Sequence, residues 1–166
     1  MEFQIAVILI SILLSAFFSG MEIAYVSANK FQVELEKRKE GFTSRILNRI
    51  TLKSSKFITT MLVGNNIALV VYSFFMGELI IGFIPDNAFN EFSILLIQTV
   101  ISTLIILITA EFLPKALFRI YANETLWFFA PLAYFFYIIF HFISDFIEIL
   151  VSRFYLSRGS KRIGFT

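Results

Sequence analysis

The chain has 166 residues, of which 58% are hydrophobic and 17% aromatic, with a mean hydropathy of +0.81. A soluble domain carries roughly 45–50% apolar residues, so the composition predicts an all-α membrane protein, read as a single domain over residues 1–166. A net charge of +2 gives no basis for nucleic-acid binding, and the absence of cysteine excludes disulfides and thiolate metal sites.

The first apolar run, residues 3–28, is long enough to span a hydrocarbon core of about 30 Å. It is not read as a secretory signal, because Glu2 is the only charge before it and no basic n-region precedes it. Ser19, Gly20 and Glu22 interrupt this run at membrane depth. Residues 29–56 then form a polar segment that carries eight of the fourteen Lys and Arg residues, from Lys30 to Lys56. Apolar positions from Val33 to Ile50 alternate with charges there, and Gly41 divides the segment into two short juxtamembrane helices.

The second span is read over 57–84 and carries Gly64, Asn65 and Asn66. The turn at 85–91 holds Asp86 and Glu91 and no basic residue. The third span, 92–113, ends in Glu111 just before Pro114. Basic loops stay cytoplasmic, so the N-terminus is placed outside, the 29–56 segment inside, the 85–91 turn outside and the C-terminus inside. A fourth apolar stretch, 126–151, would expose the basic tail (Arg153, Arg158, Lys161 and Arg162) if it spanned. It is therefore read as part of a cytoplasmic interfacial helix over 116–156, broken near its start by Pro131. Its polar residues Tyr134, Tyr137, His141, Ser144, Asp145, Glu148 and Ser152 recur at helical steps and are read as a solvated stripe, not a metal site.

Polar groups at membrane depth cost a few kcal/mol each and mark functional sites by default. Ser19 lies roughly 16 Å from the inner boundary at Lys30, and Asn65 about 14 Å from that at Lys56, by helical rise. For Ser19 and Gly20, close helix packing is the competing explanation; for the two amides it is an interhelical hydrogen bond. Neighbours on a helix diverge by about 100°, so Asn65 and Asn66 cannot face the same way. Glu22 needs a cation, a donor or a proton. Glu111 can pair with Lys115 one turn on, or stand beside the backbone carbonyl that Pro114 leaves without a donor. Every candidate ligand is an oxygen, which selects hard cations such as Mg²⁺, Ca²⁺ or Na⁺. No Ser/His or His-Glu-His constellation lies in the spans, so no enzyme is expected.

The segments Phe-Phe-Ser-Gly-Met-Glu-Ile-Ala at 17–24, Leu-Val-Gly-Asn-Asn at 62–66 and Ala-Glu-Phe-Leu-Pro-Lys at 110–115 resemble, in order and spacing, the signatures of the CNNM and CorB/CorC magnesium transporters (the DUF21 transmembrane domain). The resemblance implies a homodimer with three spans per protomer and a belt of juxtamembrane helices. It implies Mg²⁺ transport at the cell membrane, generally efflux and linked to Na⁺ entry. By motif match, the metal-facing positions are Ser19, Gly20, Asn65, Asn66 and Glu111, with Glu22 and Pro114 along the ion pathway. Leu69 and Ala110 depart from the pattern, where many relatives have Asn and Gly. Relatives continue into a cytosolic pair of nucleotide-binding CBS modules. This chain reads as the membrane part of such a protein, with no nucleotide expected on it. The alternative is a membrane anchor or scaffold that kept the fold without transport.

Overall fold

The computed structural model describes residues 1–85, 90–143, 145–147 and 149. The described residues form helices and no strand: α1 (Glu2–Ser27), α2 (Lys30–Arg38), α3 (Phe42–Leu52), α4 (Ser54–Ile81), α5 (Glu91–Ile106), a π-helical segment (Leu107–Phe112), α6 (Leu113–Ile120) and α7 (Ala122–Ile139). Three helical stretches are long and apolar enough to cross a membrane: Glu2–Ser27, Ser54–Ile81 and Glu91–Ile120. Helices are the form such runs take, because hydrocarbon offers no partner for backbone N–H and C=O groups.

Local sequence sets the helix ends. The Asn29 side chain accepts from the N–H groups of Phe31 and Gln32 and caps α2, whose last turn holds Lys37 and Arg38 where cations suit the helix dipole. Asn90 caps α5 by accepting from the Ser93 N–H at 2.8 Å. The polar segment folds as two helices, α2 and α3, on either side of Gly41.

α1 is the central element and packs against α4, the π segment, α6 and α7. The main core lies at the end of α1 and α4 nearest α3, where Phe18, Met21, Phe57 and Met61 meet Ile46, Leu47 and Ile50 of α3 and Leu126, Ala130 and Ala133 of α7. The small Ala130 and Ala133 admit aromatic rings: Phe18 stands edge-on to Phe136 at 4.8 Å, and Phe17 to Phe129 at 5.8 Å. At the opposite end of the pair, Gln4 donates to Glu78 at 3.2 Å.

Three expectations are corrected. The helix of the third span does not stop at 113. It continues to Ile120, because the π segment absorbs Pro114 within the helix. Pro131 does not break α7, which runs unbroken from Ala122 to Ile139. Leu126 and Ala130 before the proline and Ala133 after it are all buried, so packing on both sides offsets the one backbone bond that Pro131 omits. The polar stripe that starts in α7 and runs beyond it is not merely solvated. Arg49 donates to the Tyr134 hydroxyl at 2.8 Å. Lys56, 1% exposed, pairs with Asp145 and stands over the Tyr137 ring. Asp145 of the stripe thus neutralises Lys56, a charge that the fold has buried. The chain bends by 64° between α7 and His141–Ile147, so the fourth stretch is not one straight span. Ser144, Glu148, Ser152, the basic tail from Arg153 onward and Asp86 lie outside the described residues.

Candidate ion site

The site is built on the contact of α1 with α4 and with the π segment. Ser11, Ser15 and Ser19 repeat every four residues and are all buried, as one face of a helix requires. Ser15 donates to the Asn65 side-chain oxygen at 2.6 Å. Asn65 is buried and Asn66 is exposed on the surface of the chain, so the angular divergence of the two amides resolves with Asn65 turned into the bundle. The Ser19 hydroxyl is fully buried and has no hydrogen-bond partner, alone among the buried side-chain polar atoms of the described residues.

Two glycines let the helices approach. A Cβ on Gly20 would lie 2.5 Å from the Phe118 ring of α6, and one on Gly64 would lie 2.7 Å from the Phe18 ring. Gly20 therefore has a packing role independent of any ion. So does Gly64, which lets Phe18 cross α4 directly before the paired amides.

The π segment supplies the third face. The Leu113 N–H reaches back to the Ile108 carbonyl, one residue further than in an α-helix. Pro114 has no N–H to give either Ala110 or Thr109, so acceptor capacity is left in the wide turn beside Glu111. Ala110 is fully buried there and Pro114 is buried. The Thr109 hydroxyl bonds its own helix at the Ile105 carbonyl, 2.7 Å away, and so is taken up locally. The Glu111 carboxylate is partly exposed, 3.9 Å from the Lys115 amine. That distance gives charge compensation without a hydrogen bond. Glu22 is partly buried on α1.

The fold thus places Ser19, Gly20 and Asn65 at buried helix contacts, with the Glu111 segment packed on the same α1. It leaves Asn66 on the outside. Cavities of 480 to 740 Å³ lie among the juxtamembrane helices, and none of them is lined by Ser19, Asn65, Asn66 or Glu111. Sequence reasoning missed Ser15 and the burial of Lys56. The first was signalled by the four-residue serine spacing. The second was not, because Lys56 looks like any boundary lysine until its partners, about 85 residues on, are in place.

The chain matches the family model described as the cyclin M transmembrane N-terminal domain over residues 5–162. It is 28% identical over 158 residues to the UPF0053 protein MG146 of Mycoplasma genitalium and 30% identical over 158 residues to the MG146 homolog of Mycoplasma pneumoniae. Each match covers 90% of this chain and 36% of the relative, so the chain spans about a third of their length. With the family model covering almost every residue and three apolar helices beneath it, this chain belongs to the CNNM transmembrane-domain family and is a multi-pass membrane protein.

Proposed function

We propose that this domain carries a divalent cation, Mg²⁺, across the membrane, with oxygen ligands on α1, α4 and the π segment. The observation that carries this reading is the orphaned Ser19 hydroxyl. A buried hydroxyl without a partner costs about 1–3 kcal/mol, and a cation beside it would remove that penalty. Asn65 stands on the neighbouring helix, and Glu111 supplies the negative charge. Gly20 would contribute through its backbone, while Glu22 and Pro114 would border the pathway. Mg²⁺ dehydrates reluctantly, so the protein oxygens would replace only part of its water shell.

Asn66 supports the homodimer in the same proposal. It is exposed on α4 among the exposed Leu62, Ile67 and Val70. An amide against hydrocarbon costs several kcal/mol, whereas a second copy or an aqueous path would satisfy it. None of Glu91–Ile106 is buried within the protomer, which leaves α5 free to face lipid or that second copy. Efflux at the cell membrane, exchange against Na⁺ and control by a cytosolic CBS pair complete the proposal, and family membership is their support.

The test is Mg²⁺ flux in proteoliposomes. Glu111→Gln, Ser19→Ala and Asn65→Ala are each expected to cut flux at least tenfold while the protein stays folded. Undiminished flux in all three variants would remove these residues from the mechanism. A scaffold without transport is the second reading. It is favoured by the Ser15–Asn65 hydrogen bond, which gives Asn65 a purely structural use, and it predicts a melting temperature indifferent to Mg²⁺.

A further inference from the structure

Of the cavities among the juxtamembrane helices, the one of about 740 Å³ lies between α2, α3 and the start of α7. Its height in the membrane follows from the helix ends beside it. The first apolar helix ends at Ser27 and the third at Ile120. Just beyond them, the Asn29 N–H donates to the Asn123 side-chain oxygen at 2.8 Å, and the Asn123 amide donates to Gln32. The two helices therefore finish at one level, and the cavity opens there, with Gln32 and Asn123 in its wall. A bilayer changes from hydrocarbon to headgroups at such a level.

The lining suits an amphiphile. Its floor is apolar, since Leu47 and Leu126 are buried and Val33 packs against the same core. Trp127 and Phe128 stand at the rim, 47% and 69% exposed, as aromatic side chains do where hydrocarbon meets headgroups. The charged lining is Glu36 and Glu124 against Lys39, net negative beside an otherwise basic segment. Glu36 pairs with Lys39 at 2.5 Å. Glu124, exposed in the first turn of α7, has no cationic partner among the described residues. An apolar floor beside an uncommitted carboxylate fits an acyl chain joined to a headgroup that carries an ammonium. A primary ammonium donates hydrogen bonds to a carboxylate, whereas a quaternary one has no N–H to give. The Lys39 amine keeps further N–H groups for the phosphate of such a headgroup.

We propose that this groove holds a zwitterionic phospholipid with a primary-amine headgroup, its chain against Leu47 and Leu126 and its ammonium on Glu124. The proposal does not depend on ion transport. Trp127 is the sole tryptophan of the chain and lines the groove, so its fluorescence reads occupancy directly. The purified chain in neutral detergent is titrated with phosphatidylethanolamine, phosphatidylcholine and phosphatidylglycerol, all with the same brominated chains, because bromine quenches an indole that it touches. Phosphatidylethanolamine is expected to quench saturably, at a mole fraction about fivefold lower than the other two, as one exposed ion pair allows. Glu124→Gln should bring its curve onto that of phosphatidylcholine while the melting temperature stays near that of the parent. Glu34→Gln, outside this lining, should leave every curve unchanged. Equal quenching by the three lipids would mean ordinary boundary lipid, and tighter quenching by phosphatidylglycerol would mean that anionic headgroups are preferred. Emission that shifts with protein concentration and not with lipid would place a second copy in the groove. Each of these results would overturn the proposal, as would a preference that survives Glu124→Gln.

Discussion

Single residues decide how polar groups are accommodated in this apolar molecule, and Ser19 is the sharpest case. Its hydroxyl is buried without a partner, so in metal-free protein Ser19→Ala removes a penalty and little else. The variant is expected to be as stable as the parent, or more stable by about 1 kcal/mol, and to lose any stabilisation by Mg²⁺; denaturant melts with and without the ion check both halves. Lys56 makes the contrasting case, since its buried amine is held by Asp145, and His141 lies 3.2 Å from the same carboxylate. The hydrogen bond from Lys56, reinforced by attraction to Lys56, His141 and Lys53, holds the Asp145 carboxyl below its ordinary value of 3.8. A depressed carboxyl binds more protons unfolded than folded, so its stabilisation is present above pH 3.8 and fades as pH falls through the folded value. Asp145→Asn should therefore lower the melting temperature at pH 7 and make no difference at the acid end of that window. A constant gap across the whole range would show that the charge is not what matters. The sequence made Ser19 visible by its depth. It hid Lys56, whose character depends on a partner far along the chain.

At the scale of elements, the spans and the two short juxtamembrane helices follow from runs of apolar residues, clustered charges and Gly41, all of which are local signals. What was not legible was how the helices tolerate proline. Pro131 looked like a break, yet buried residues on both sides keep α7 continuous. Pro114 looked like an end, yet the chain inserts a π turn and goes on. Both outcomes depend on neighbouring helices, which a local pattern does not record. Pro114→Ala restores an N–H and should favour the ordinary α register, turning Glu111 by up to about 100°. Its expected signature is unchanged or improved stability with loss of the Mg²⁺ response, read by the same melts. Helix contacts also depend on Gly20 and Gly64. Alanine at either would press a Cβ onto an aromatic ring, and overpacking costs about 1–3 kcal/mol. Gly64→Ala should be the worse of the two, because Phe18 is 2% exposed and walled in by the core, whereas Phe118 is only partly buried. Equal or reversed losses in a denaturant series would contradict this account of the contacts.

Across the whole molecule, α1 gathers the bundle while α5 stays at its edge. In the proposed homodimer, the unburied helix α5 and the exposed amide of Asn66 would face the second copy. Asn66→Leu should leave the protomer folded and weaken the dimer, as read by sizing in detergent with and without crosslinking. The central claim is that Ser19, Asn65 and Glu111 share a cation. Its most direct test is the melting temperature of the detergent-purified chain against millimolar Mg²⁺, run in parallel on Ser19→Ala and Glu111→Gln. A ligand that binds only the folded state stabilises by about 2.7 kcal/mol at a hundredfold excess over its Kd. The account predicts a saturable rise in the parent that is lost in both variants; a flat response in the parent, or the same rise in all three proteins, would contradict it.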